Sequence, residues 1–118
     1  MPAALVVDFK TGLHPDEPAD DVRDRIYGVQ ELVYALAALE GGAETVDVAF
    51  AFLDDDAVAE RRFSSDDREA LAARLEAAVG AAIDGPYPAR PEPFLCGTCP
   101  AHGSLCAGMA LLDDPWHD

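Results

Sequence analysis

Asp8 and Lys10 stand two residues apart in VVDFKTG, and in an extended segment that spacing places both side chains on one face. A carboxylate there would hold a divalent metal and an ammonium would orient an attacking water, the two tasks that hydrolysis of a phosphodiester demands. The spacing is common, and on an ordinary strand the same pair is a surface ion bridge of about 0–1 kcal/mol. Lys10 is nevertheless the one lysine in the chain, the other basic residues being arginine. A compact ammonium has been kept here, and the two cations are not interchangeable in a site.

Further along, Gln30 and Tyr34 lie one helical turn apart with Tyr27 on the same side. An amide and a phenol so placed suit contact with a phosphate backbone or with the lysine of a metal site; the alternative is that Tyr34 packs at the edge of the core. A third group is Cys96-x2-Cys99-x6-Cys106 in a segment rich in Pro and Gly. Closely spaced thiolates on irregular backbone hold structural metals and clusters, and three cysteines are an odd number for a disulfide framework. His102 lies inside the loop, so Cys96, Cys99, His102 and Cys106 form a possible Cys3His zinc site; three buried structural thiols are the other option.

These side chains need elements to carry them. Residues 4–10 alternate, with Leu5, Val7 and Phe9 on one side and Val6, Asp8 and Lys10 on the other, which predicts a strand closed by Thr11-Gly12. LHPDEPADD reads as an exposed loop. Val22, Ile26, Val29, Val33 and Leu36 recur at helical intervals, predicting one amphipathic helix over about 21–40 that Gly41-Gly42 ends. TVDVAFAFL predicts a strand with Val46, Val48, Phe50 and Phe52 on one face, and AVAERRF its hairpin partner. Ser64 and Asp67 resemble a capping box that opens a helix marked by Leu71, Leu75, Val79 and Ile83 and closed by Gly85-Pro86. The order β-α-β-β-α followed by an irregular cysteine-bearing tail makes an α/β domain, with a core over 1–85 and the tail over 86–118. Leu5, Val7, Ile26, Val33, Leu36, Phe50, Leu71, Leu75 and Val79 are the expected core.

A chain of 118 residues, half of them apolar, is enough for one modest core. No basic leader precedes an apolar stretch, and no run approaches about 20 uncharged apolar residues, so a soluble, cytoplasmic protein is expected. Eight basic against 23 acidic residues give a formal charge of −15. That balance opposes unaided binding to a polyanion, since affinity for phosphate backbones comes largely from Lys and Arg. It fits a chain with acidic solvated faces, or one that meets DNA through a basic partner surface.

Taken together and in this order, VVDFKTG, Gln30-x3-Tyr34 and C-x2-C-x6-C resemble the RecB-like nucleases of the PD-(D/E)XK superfamily, over about residues 3–108. The resemblance implies a restriction-endonuclease-like core and a Mg2+- or Mn2+-dependent DNA exonuclease acting in repair or recombination. It implies that Asp8 ligates the metal, that Lys10 is the catalytic lysine, and that Gln30 and Tyr34 contact DNA. Cys96, Cys99 and Cys106 match the last three ligands of that family's four-cysteine 4Fe-4S staple. The family's upstream acidic ligand, helical histidine and first cluster cysteine precede its D/E-x-K motif, whereas only seven residues precede Asp8 here. Pro15-Asp16 follows Lys10 and does not replace them. The expectation is a site incomplete in the isolated chain, completed by an N-terminal nuclease segment or a helicase or repair-complex subunit. The alternative function is a non-catalytic α/β module with a zinc staple used for protein association.

Overall fold

A computed structural model describes residues 2–12, 16–86, 96, 99–101 and 104–106. Chain contacts divide the protein into Met1–Gly85 and Pro86–Asp118. The first unit is mixed α/β: β1 (Ala3–Lys10), α1 (Ala19–Ile26), α2 (Gly28–Glu40), β2 (Thr45–Phe52), β3 (Ala57–Ser64), a 3-10 turn over Ser65–Asp67 and α3 (Arg68–Asp84). The sheet runs β1-β2-β3, with β1 parallel to β2 and β2 antiparallel to β3. A parallel pair requires a crossover, which the two helices between β1 and β2 supply. Among the described residues β1 is an edge strand.

The single helix predicted over 21–40 is two helices. They meet at Tyr27, whose φ of −113° and ψ of 15° are not helical, and the break resets the helical phase. Val22 on α1 is buried, but on α2 the buried positions are Glu31, Leu32, Ala35 and Leu39, while Val29 and Val33 are exposed. The stripe Val22-Ile26-Val29-Val33-Leu36 holds one phase only if the helix is continuous. Gly42, at φ 107°, accepts the left-handed turn that ends α2, donating its N–H to the Leu39 carbonyl at 3.1 Å.

The core is Val22, Leu32, Ala35 and Leu39 against Val46, Val48, Phe50 and Phe52 of β2, with Ala59 and Phe63 of β3 and Leu71 of α3. Each large side chain buried there contributes about 1.5–3 kcal/mol. On β1 the parity is as read, but the covered face is the one carrying Val6, Asp8 and Lys10. Leu5, Val7 and Phe9 are exposed, so Leu5 and Val7 are not core residues. Alternation says which residues share a face; it does not say which face the helices cover. Leu71 is buried as expected, Leu75, Leu36 and Ile26 are half-buried, and Val79 and Ile83 at the far end of α3 are exposed. The Asp67 carboxylate accepts the Ser64 backbone N–H at 2.8 Å, which opens this helical segment. Gly85, at φ 68°, closes it.

In the second unit, Cys99 N–H donates to the Cys96 carbonyl at 3.2 Å and Cys106 N–H to the Ala101 carbonyl at 3.0 Å. Cys96 is half-buried, and Cys99 and Cys106 are exposed. His102, the proposed fourth zinc ligand, and Leu13, His14 and Pro15 of the acidic loop lie outside the described residues.

Candidate active site

β1 ends in Asp8 and Lys10, both on the helix-covered face, and α2 presents Gln30 and Tyr34 to them across a short span. The Tyr34 hydroxyl donates to Asp8 Oδ2 at 2.6 Å. The Lys10 ammonium lies 3.2 Å from the same oxygen and donates to Gln30 Oε1 at 2.8 Å. Each of the Asp8 and Lys10 side chains keeps only about a sixth of its surface exposed, at 16% and 17%. Both contacts to Asp8 fall on Oδ2, and among the described residues Oδ1 has no hydrogen-bond partner. The carboxylate is therefore anchored through one oxygen with the other open.

Aromatic rings floor this arrangement. The ammonium sits 4.4 Å from the centroid of Tyr27 and 5.9 Å from that of Phe50. Tyr27 stacks on Phe50 at 5.7 Å, and Tyr34 is tilted against it at 6.2 Å. The hydrogen bond to Asp8 raises the Tyr34 phenol above the usual tyrosine range, with burial adding to the effect. Burial raises Tyr27 in the same direction, reinforced by the Asp8 charge.

Beside the site runs a charge cluster that the sequence reading missed. Arg23 of α1 and Glu31 of α2 are almost fully buried, at 3% and 2% exposed. Arg23 Nε lies 3.4 Å from Glu31 Oε2 and 3.0 Å from Asp24 Oδ1, and Arg61 of β3 reaches Glu31 Oε1 at 3.1 Å. Burial pushes the Glu31 carboxyl up while Arg61 and Arg23 oppose it. Among the described residues Glu31 Oε2 accepts no hydrogen bond and is held by the charge of Arg23. The pairs fasten α1 and α2 to the sheet on either side of the Tyr27 break. The sequence signal was faint: Glu31 adjoins Gln30 at a position that a continuous helix would leave on the solvent side.

The end of β1 thus carries Asp8 and Lys10 against Gln30 and Tyr34 of α2. The model of the PD-(D/E)XK nuclease superfamily matches residues 3–106. The chain belongs to the PD-(D/E)XK nuclease superfamily. No curated protein and no solved structure matches it. Nucleases of this superfamily typically use divalent metal ions and act on DNA, and the α/β unit is consistent with the superfamily's core.

The residues present fit such a metal in part. The open oxygen of Asp8 is a hard donor suited to Mg2+ or Mn2+, but among the described residues no three His, Cys, Asp or Glu side chains are grouped to hold an ion. Two other acids are engaged elsewhere: Glu17 accepts Arg25 Nε at 3.0 Å, and Glu31 pairs with Arg23 and Arg61. Cys96, Cys99 and Cys106 are likewise not gathered into a ligand set. Among the described residues no helix is long and apolar enough to cross a membrane.

Proposed function

We propose that this PD-(D/E)XK protein is the Asp8/Lys10-bearing part of a Mg2+- or Mn2+-dependent DNA exonuclease of RecB-like type, working in repair or recombination. The observation that carries the proposal is the convergence of Tyr34 and Lys10 on Asp8 Oδ2, which leaves Oδ1 without a hydrogen bond among the described residues, beside a lysine that is itself largely covered. A surface ion pair alone does not need a phenol and an amide to fix it. Bound at Oδ1, a divalent ion would supply an activated water and offset the charge of the departing oxygen. Asp8 offers that oxygen with its partner oxygen pinned. Lys10 orients the water and offsets charge at the scissile phosphate. Gln30 holds the ammonium and, with Tyr34, lines the approach of the DNA backbone.

A hard dication held through one carboxylate keeps most of its water shell, so we assign the second acidic ligand to a further nuclease segment, in cis or on a partner such as a helicase or repair-complex subunit. A basic partner surface would also offset the charge of −15. A 4Fe-4S cluster on Cys96, Cys99 and Cys106, with a fourth cysteine from that segment, rests on the spacing C-x2-C-x6-C and not on side-chain geometry. Iron, sulfide and zinc analysis of anaerobically purified protein separates it from the alternative, a zinc-stapled association module.

The test is cleavage of linear DNA with Mg2+ or Mn2+. The chain alone is expected to cut very slowly or not at all; with the complementing acidic segment it should cut, and Asp8→Ala or Lys10→Ala should abolish that activity. Cleavage that survives Asp8→Ala would remove the site from consideration. Robust cleavage by the chain alone, lost on Asp8→Ala, would mean that another acid such as Asp16 completes the site.

A further inference from the structure

Resting on that assignment of Lys10, we infer that Tyr27 is a positioning residue whose ring face holds the ammonium in place. A lysine ammonium has three N–H donors on a flexible four-carbon stem. Here one donates to Gln30 Oε1 at 2.8 Å, Asp8 Oδ2 lies at 3.2 Å, and the Tyr27 ring occupies the remaining side with its centroid at 4.4 Å. That distance is within the range of a cation–π contact. The Tyr27 hydroxyl makes no hydrogen bond among the described residues, so the site uses the ring and not the phenol.

The ring is itself held firmly. It stacks on the fully buried Phe50 at an interplanar angle of 19° and lies 6.1 Å from Phe52. Its backbone belongs to both helices: Tyr27 N–H donates to the Arg23 carbonyl of α1 at 2.8 Å, and its carbonyl accepts Glu31 N–H of α2 at 3.0 Å. The helix break therefore falls at the residue beneath the lysine. With 23 acidic residues in the chain, an unrestrained ammonium has many carboxylates to choose from, and the ring narrows the choice to one. With the Phe50 ring at 5.9 Å, three of the four contacts do not involve Asp8, so they continue to hold Lys10 when the carboxylate is engaged elsewhere.

Lys10 is the one lysine in the chain, so selective lysine labelling yields a single ε-methylene NMR signal. In the wild-type chain that signal should be displaced upfield by the ring current. Tyr27→Phe should keep the displacement, and Tyr27→Leu should lose most of it, leaving only the smaller share of the more distant Phe50 ring. In the complemented, cleaving complex, Tyr27→Leu should lower kcat about tenfold with little change in KM, as expected for loss of a partly buried cation–π contact, and Tyr27→Phe should restore it. An ε-methylene at its free-lysine position in the wild-type chain overturns the inference even if Tyr27→Leu fails to fold, and so does a displacement that Tyr27→Leu leaves intact. The NMR result needs no nuclease activity. A displaced signal in a chain that does not cleave DNA even with the complementing acidic segment would leave the ring contact standing and reject the nuclease assignment, whereas cleavage in that complex with an undisplaced signal would do the reverse.

Discussion

Asp8 carries one anchored and one open oxygen, and Tyr34 is the residue that makes the difference. Its hydroxyl donates to a charged acceptor at 2.6 Å, a bond of about 1.5–3 kcal/mol. Tyr34→Phe should therefore lower kcat/KM of the complemented nuclease about ten- to a hundredfold while the fold persists, as steady-state kinetics and circular dichroism would show. The same bond has a pH signature. Because Tyr34 is raised above the ordinary phenol value, its contribution is present in full below about pH 10, where unfolded tyrosines begin to ionise. It is lost as pH rises from there through the higher folded value. Tyrosinate absorbance should show a late-titrating component that Asp8→Asn shifts to lower pH; superimposable curves would contradict the bond. The pairing of Asp8 with Lys10, and of Gln30 with Tyr34, was legible because strand and helix parity alone set it. Tyr27 was read as sharing their side, but its ring contact with Lys10 was not legible, since it depends on a helix break that the residue at position 27 does not announce.

At the scale of the element, α2 decides how the site is presented. Its buried face is Leu32, Ala35 and Leu39, and Val33 points outward. Leu39→Ala should cost about 2–5 kcal/mol in urea unfolding, and Val33→Ala should stay within about 0.5 kcal/mol. Equal effects would restore the unbroken-helix phase. β2 was readable in full because Val46, Val48, Phe50 and Phe52 alternate without interruption and all four are buried. β1 was readable only in part: its parity was plain, but two candidate faces each carried apolar residues, and which one the helices cover is a tertiary matter. The buried Arg23 and Glu31 were illegible for the same reason, as charges are ordinarily assigned to solvent unless their partners are known.

The whole molecule combines a phosphodiesterase-like constellation with a charge of −15. Most DNA-binding proteins bind more tightly as salt falls, but here long-range repulsion is least screened at low salt. Binding of the isolated chain to DNA should therefore fail to strengthen as salt is lowered, and fluorescence anisotropy across a salt series would check this. A steep gain at low salt would point to a basic surface that dominates the net charge. The α/β class and the place of the motifs were visible from patterning, and an incomplete metal site was expected from the resemblance, but which acids stand near Asp8 was not legible, because a second ligand is a matter of geometry and not of spacing. The most direct test of Asp8 as the metal-binding oxygen of this site is titration with Mn2+ while observing the single lysine ε-methylene signal. Paramagnetic broadening should reach Lys10 selectively in the wild-type chain and disappear in Asp8→Asn. A Lys10 signal untouched by Mn2+, or broadened equally in Asp8→Asn, would contradict the account.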